Sequence, residues 1–341
     1  MQDCLKLAAK GLGNVAPNPM VGCVIVNNAK IIGKGYHEKF GEAHAEINAI
    51  ASVKNKKLLK DSILYVSLEP CAHYGKTPPC SDAILKCGIR KVVIGSVDPN
   101  PLVKGKGIEK LIRGGCDVVT GILEKECIEL NKRFFTFYRE KRPYIILKWA
   151  MTKDGYIDKK RTKEEKPLKL TDKYAAKLSH KWRSEEQAIM VGTNTVIMDN
   201  PLLTARHVKG KSPMRIVMDR TLKILPDSRI FSNFASVVIL NSKKNSKSGN
   251  MEHVNIKFKG KMLHNALREL YKRNIQSVIV EGGANLLSSF VKQGLWDEAR
   301  VFISNKKIGE GIHAPVFSGS PVSKKKIGNV TLNRYIKTVN G

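Results

Sequence analysis

A chain of 341 residues is long enough for two domains of ordinary size, each with its own core. Its 42% hydrophobic and 6% aromatic content excludes a disordered protein, and no run approaches the ~20 apolar residues that span a bilayer. The 60 basic against 30 acidic residues give a formal charge of +30, but the lysines are scattered rather than gathered in one block with aromatics. This fits a lysine-rich surface, which also favours phosphorylated small substrates, better than a dedicated nucleic-acid partner.

Residues 1–13 have helical spacing and no long apolar signal core, so a soluble cytoplasmic protein is expected. In chain order, a helix over 3–10 ends at Ala16-Pro17-Asn18-Pro19, a turn that cannot continue it. A strand over 21–26 is joined through Asn27-Asn28-Ala29 to a hairpin partner at Lys30–Tyr36. Helix 44–53, strand 62–67, helix 80–87 stopped at Gly88, strand 91–96 and helix 107–114 follow. This alternation predicts a layered α/β domain. The stretch 134–143 is aromatic, charged and ends in proline, and reads as a junction. Beyond it come strand 144–150, helix 173–184, and strands 188–192, 215–218 and 236–240. The polar stretch 241–250 reads as a surface loop, before helix 262–273, strand 277–280, helix 284–292 and strand 298–303. Two α/β domains are predicted, 1–140 and 143–341.

All seven cysteines fall in the first 127 residues, which in a cytoplasmic chain points to buried thiols plus a metal site rather than disulfides. His44-Ala45-Glu46, Pro70-Cys71 and Cys80 form that site. One imidazole and two thiolates suit zinc and leave a fourth position for water, whose pKa the metal lowers toward ~7. A His, a Glu two residues on and a later Pro-Cys with a second Cys is the pattern of zinc deaminases, in which Glu46 would shuttle protons without ligating. His44 and Glu46 can converge only if His44 lies at the helix entrance, because residues two apart point to different sides of a helix. Eight residues separate the two cysteines, where nucleic-acid and free-nucleoside deaminases usually have two; the added His73, Gly75 and Lys76 could reach a larger, charged substrate.

The chain resembles the bifunctional deaminase–reductase family of riboflavin biosynthesis. The likeness is carried by Pro17-Asn18-Pro19-Met20-Val21-Gly22, His44-Ala45-Glu46, and Glu69-Pro70-Cys71 through Gly75-Lys76-Thr77-Pro78-Pro79-Cys80. Asp98-Pro99-Asn100-Pro101, Gly105-Lys106-Gly107, Lys148, Asp154-Gly155, residues 191–196, Asp199-Asn200-Pro201, residues 203–206 and Glu281-Gly282-Gly283 extend it over nearly the whole chain. The resemblance implies a cytidine-deaminase-like three-layer α/β/α domain followed by a dihydrofolate-reductase-like α/β domain. It implies hydrolytic deamination of 2,5-diamino-6-(5-phosphoribosylamino)pyrimidin-4-one, then NADPH-dependent reduction of the ribosyl group of 5-amino-6-(5-phosphoribosylamino)uracil to ribityl. It places Asn18, His37, His73 and Lys76 on the deaminase substrate, and Arg183, Leu203, Arg206 and Glu281 on the reductase substrate. Met151, Lys169, Thr195, Asp199, Gly282 and Gly283 would hold NADPH, with Asp199 also catalytic. A homo-oligomer is implied as well.

Taken without the family, Gly282-Gly283 fits a plain strand-to-helix turn as well as a pyrophosphate-binding one, and Asp199 fits a turn residue before Asn200-Pro201. The chain departs from the family at Thr152-Lys153, at the charged stretch 159–166, and at Pro167-Leu168-Lys169, where a Ser-x-Trp is common. Two other readings compete: a deaminase fused to an inactive reductase domain, and a tRNA deaminase with a basic binding domain.

Overall fold

The helix predicted at the N-terminus is α1 (Gln2–Ala8), and the hairpin that follows is β1 (Gly22–Asn27) and β2 (Lys30–Tyr36), antiparallel. The computed structural model describes residues 1–74 and 78–337. These divide into two compact units, Met1–Lys141 and Arg142–Gly341.

The first unit continues with α2 (Ala45–Ser52), β3 (Ile63–Leu68), α3 (Cys80–Lys86), β4 (Lys91–Ser96), α4 (Lys106–Arg113), β5 (Asp117–Thr120), α5 (Glu124–Leu130) and α6 (Lys132–Glu140). Its five strands run in the order β2-β1-β3-β4-β5, with β3, β4 and β5 parallel. Cys23, Ile25, Leu64, Val66, Val92 and Ile94 meet Ala45 and Ala49 of α2, Ile84 of α3 and Leu111 of α4 in one core. Smaller clusters around Ala8 and around Leu68, Phe134 and Phe135 lie apart from it, which makes the unit a three-layer α/β/α domain. The boundary between the two units falls within the stretch 134–143, after Lys141. Most of that stretch is α6, whose Phe134, Phe135 and Phe137 are buried.

The second unit consists of β6 (Tyr144–Met151), β7 (Tyr156–Asp158), α7 (Lys173–Glu185), β8 (Ala188–Gly192), α8 (Thr193–Asp199), β9 (Met214–Met218), β10 (Val237–Asn241), β11 (Ser246–Ser248), β12 (Met251–Asn255), α9 (Met262–Lys272), β13 (Ser277–Val280), α10 (Ala284–Lys292), β14 (Glu298–Ser304), β15 (Ile312–His313), β16 (Ser323–Ile327) and β17 (Val330–Ile336). Ten of these strands form one sheet, β11-β12-β10-β9-β8-β13-β6-β14-β17-β16, parallel from β12 to β14. The unbroken apolar runs are explained by burial on both faces. Ile145 and Leu147 pack with Leu267 of α9 and Phe290 of α10, whereas Tyr144 and Ile146 pack with Trp182 of α7 and Val196 of α8. The expected surface loop 241–250 is partly ordered as β11, antiparallel to β12, and Asn241 Oδ1 closes the turn by accepting from the Lys243 and Lys244 amides. No helix among the described residues is long and apolar enough to cross a membrane.

Candidate active sites

In the first unit the chemistry gathers at the C-terminal ends of β3 and β4, where ligands of open α/β sheets bind. His44 caps the N-terminus of α2 in an extended conformation, φ −74 and ψ 165, so Glu46 in the first turn can face the same space. Cys71 follows β3, and Cys80 opens α3 and donates its backbone N–H to Cys71 Sγ at 3.3 Å. His44 Nδ1 lies 3.7 Å from Cys71 Sγ and 3.3 Å from Cys80 Sγ. Ligand atoms of these three residues lie within 4.8 Å of one another, the one such cluster among the described residues. The donor set and its convergence fit zinc. The Cys71 thiol is pushed down to about 4, above all by its hydrogen bond with Cys80 and further by His44, while the same bond and burial push Cys80 up. The other five cysteines are free, and Cys4, Cys23, Cys116 and Cys127 are buried.

A cavity of about 310 Å³ opens beside the cluster, lined among others by Asn18, His37, Glu46, Glu69, His73, Asp98, Asn100, Phe134 and Tyr138. Burial, aided by the Cys71 charge, pushes the Glu46 carboxyl up to about 7, and burial likewise raises Asp98 to about 7. His37 is 2% exposed, and both its ring nitrogens are engaged. Nδ1–H donates to the Ala43 carbonyl at 3.0 Å, so Nε2 accepts from Asn18 Nδ2 at 3.1 Å. His37 therefore orients Asn18, whose amide oxygen is left as an acceptor for the cavity. Burial lowers the His37 pKa and keeps it in that neutral form. His73 is exposed at the cavity, and Lys76 lies outside the described residues.

Sequence reasoning assigned no role to Glu69, although Glu69-Pro70-Cys71 was in view. Its buried carboxylate accepts from four backbone amides: Asp98 at 3.1 Å, Gly105 at 3.0 Å, Gly107 at 2.9 Å and Ile108 at 3.3 Å. One carboxylate thus ties the residue before Pro70-Cys71 to the Asp98-Pro99-Asn100-Pro101 turn and to the start of α4. Gly107 is required there, because a Cβ would stand 1.9 Å from the Pro70 carbonyl oxygen. Gly107→Ala should cost roughly 1–3 kcal/mol by overpacking and should also weaken zinc retention, since Pro70 carries Cys71. A thermal melt with a chelator competition checks this; unchanged zinc affinity would separate the Glu69 network from the metal site.

In the second unit, α7 presents His180 and Arg183 on one face. Arg183 makes a bidentate pair with Glu281, at 2.9 and 2.6 Å, and donates to the Thr204 carbonyl at 3.3 Å. Lys148 Nζ stands 3.5 Å from the same carboxylate, whose side chain is 4% exposed. Arg206 donates its side chain to Thr204 Oγ1 at 2.9 Å and its backbone N–H to His180 Nδ1 at 3.1 Å. Arg183, Arg206 and Glu281 are thus brought together. Leu203 is not part of that polar face: its side chain is 5% exposed within the core, leaving its backbone, at φ +52, for any contact. Burial lowers His180 to about 4, so it stays a neutral acceptor at physiological pH. Asn can set an acceptor near the position of Nδ1 and Gln cannot. His180→Gln should raise the KM for the reductase substrate about tenfold, His180→Asn should stay close to wild type, and deamination should not change. Equal effects of the two variants would reduce His180 to a packing residue.

A second cavity, of about 490 Å³, lies at the ends of β8 and β9 and is lined among others by Arg161, Thr193, Thr195, Asp199, Arg220, Gly283 and Ala284. The turn before α10 suits a dinucleotide: Gly282 has φ +154, and a Cβ on Gly282 or Gly283 would meet Thr195 Oγ1 at 3.2 Å. No side chain caps α10, so its first amides remain for a pyrophosphate. Met151 and Lys169 are not among the residues lining this cavity. Met151 ends β6, partly buried against the core, and Lys169 borders a separate depression with Thr171, Asp172 and Lys306.

Comparison with known proteins gives consistent matches for both units. The cytidine and deoxycytidylate deaminase zinc-binding region matches residues 1–96, and the RibD C-terminal domain matches residues 143–339. The riboflavin biosynthesis protein RibD of Aquifex aeolicus (strain VF5) is 41% identical over 97% of this chain and 94% of its own length. That of Bacillus amyloliquefaciens is 38% identical over 96% and 89%. Among solved structures, a diaminohydroxyphosphoribosylaminopyrimidine deaminase/5-amino-6-(5-phosphoribosylamino)uracil reductase from Thermotoga maritima superposes with a TM-score of 0.87 at 36% identity, covering 98% of this chain and 96% of that one. Acinetobacter baumannii RibD superposes with a TM-score of 0.88 at 31% identity, covering 99% and 97%.

Proposed function

This chain belongs to the RibD family of bifunctional riboflavin-biosynthesis enzymes, and on that premise we propose how its two units divide the work. The Met1–Lys141 unit hydrolyses the 2-amino group of 2,5-diamino-6-(5-phosphoribosylamino)pyrimidin-4-one. The Arg142–Gly341 unit then reduces the ribosyl group of the deaminated product to ribityl with NADPH.

The observation that carries the reading is the convergence of His44, Cys71 and Cys80 beside a buried Glu46 in one cavity. His44, Cys71 and Cys80 would hold zinc, which supplies the Lewis acidity that makes water reactive near neutral pH. Glu46 takes a proton from the attacking water and delivers it to the ring nitrogen, then carries a second, from the hydroxyl so formed on the ring carbon, to the amino group, which leaves as ammonia as the C–N bond breaks and the carbonyl forms. Its carboxyl, raised to about 7, can carry that proton and release it near neutrality. Asn18, fixed by His37, offers a polar contact to the ring. Asp98 and Asn100, on the turn that Glu69 organises, close the cavity with Phe134 and Tyr138.

In the second unit, Gly282, Gly283 and Thr195 would hold NADPH at the N-terminus of α10, and the cofactor supplies the hydride. Arg220, exposed at the end of β9, is placed to meet a cofactor phosphate. Arg183 and Arg206 suit the ribose hydroxyls and phosphate of the substrate, since a guanidinium can bind two oxygens at once.

We further propose that the enzyme works in the cytoplasm, as a homo-oligomer, on phosphorylated small molecules rather than nucleic acid. Seven free cysteines suit a reducing compartment, and a cavity of about 310 Å³ suits a single pyrimidine. The test is a two-stage assay on zinc-loaded protein, following ammonia release and then NADPH oxidation. Both signals are expected. Ammonia alone would leave an inactive reductase domain, and neither signal would redirect the search to tRNA.

A further inference from the structure

The charged stretch 159–166, one of the places where the chain departs from its family, forms a braced loop beside the proposed cofactor cavity. Asp158, the last residue of β7, ties both ends of it: Oδ1 accepts from the amides of Lys159 and Leu168, each at 2.9 Å. Glu165 braces the interior by accepting from the Thr162 amide at 2.7 Å and from Lys159 Nζ at 3.0 Å. Arg161 turns inward, with a side chain only 4% exposed. Its Nε donates to Asp158 Oδ2 at 2.6 Å and one Nη donates to Asp199 Oδ1. The other Nη donates to the carbonyls of Met198 at 3.3 Å and Glu165 at 3.2 Å. One guanidinium thus bonds the loop, the end of β7 and the end of α8, using four of the five donors of its fixed fork.

We propose that Arg161 is a positioning residue for cofactor binding: it locks the 159–168 loop onto Asp199 and so forms one wall of the NADPH cavity. This rests on the reading of that cavity as the NADPH site. Arg161 and Asp158 both line it, as do Asp199 and Thr195. Arg161 itself is neutralised by two carboxylates, so its contribution is the shape of the wall and the fixed place of Asp199, not a charge offered to a phosphate. A lysine cannot replace it, because one ammonium cannot reach two carboxylates and two carbonyls in that fork.

The test uses the full-length protein and two variants, Arg161→Ala and Arg161→Lys, with two readouts besides turnover. The first is the NADPH dissociation constant from cofactor fluorescence, which should rise about tenfold or more in both variants. The second is the rate of tryptic cleavage within 159–166 in cofactor-free protein, which should rise in both as the lysines of the loop are released. Deamination should equal wild type, and the thermal melt of the second unit should keep a cooperative transition within a few degrees of wild type, showing that the variants fold. NADPH binding within twofold of wild type in Arg161→Ala, or rescue by Arg161→Lys, would overturn the positioning role. Failure of the wild type to bind NADPH would instead overturn the reading of the cavity, and unchanged tryptic cleavage in Arg161→Ala would still overturn the lock.

Discussion

Glu46→Ala will remove deamination while leaving zinc bound. The proposed metal ligands are His44, Cys71 and Cys80; although the Glu46 carboxyl hydrogen-bonds Cys80, His44 is set by the cap of α2 and Cys80 by the start of α3. What the substitution removes is a buried carboxyl in contact with Cys80, raised to about 7 above all by burial, which suits a group that must accept and return a proton near neutral pH. Asp98 also sits near 7, but its Oδ1 accepts from the Asn100 amide and it belongs to the turn held by Glu69. It is therefore not free to take over. General acid–base groups typically contribute 10²–10⁴-fold, so a rate loss of about that size is expected. The measurement is ammonia release alongside the zinc content of purified protein. NADPH oxidation on supplied deaminated substrate should be unchanged. Residual deamination above a hundredth of wild type, with zinc bound, would give the proton transfers to another group.

The parts of this fold that were legible in the sequence are those whose signal is local. Lys91–Ser96 and Ala188–Gly192 read directly as strands because they are short apolar runs, and Lys30–Tyr36 because the Asn27-Asn28-Ala29 turn makes it the hairpin partner of the strand before it. The candidate metal ligands were legible from their motif, which needs His44 at a helix entrance for Glu46 to converge with it and is favoured by Cys80 at a helix start, and both residues stand there. What escaped is either polar or long-range. β16 is Ser-Lys-Lys-Lys-Ile with four exposed residues, an edge strand that presents no apolar alternation. α6 was not legible as a helix within the aromatic, charged stretch that ends in Pro143, yet Phe134 and Tyr138, four apart, form one face that reaches the deaminase cavity. Glu69 could not be assigned from spacing, since the amides it binds lie 29 to 39 residues further along. The Arg161 contact with Asp199 spans 38 residues and crosses the segment where the family pattern gives no guide.

Glu281→Ala should abolish reduction and destabilise the second unit while deamination persists. Glu281 was expected only as a substrate contact, but its carboxylate is the shared partner of two buried cations, paired bidentately with Arg183 and contacting Lys148. Burial alone would raise its pKa; the Arg183 guanidinium and the Lys148 ammonium instead hold it at about 2. Removing one partner of a buried pair leaves uncompensated charge and costs roughly 3–5 kcal/mol, here with two cations stranded. Arg183 would also lose the brace that aims it at Thr204 and the substrate residues beyond. The pH dependence follows from the sign of the shift. A carboxyl depressed from its usual ~4.3 contributes stability in full above that value and loses it only as pH falls through about 2. The wild-type second unit should therefore not weaken through this group between pH 7 and 5. In Glu281→Gln the opposing charge on Lys148 is gone, and burial already lowers the pKa of that lysine. A group whose folded pKa is depressed in this sense binds fewer protons folded than unfolded, so the stability of the variant should climb as pH rises. Chemical melts of wild type and Glu281→Gln from pH 7 up to the ordinary lysine value of about 10.4 would measure it. A variant whose stability is flat over that range would mean that Lys148 is relieved by water rather than by Glu281, and that the carboxylate serves the substrate alone.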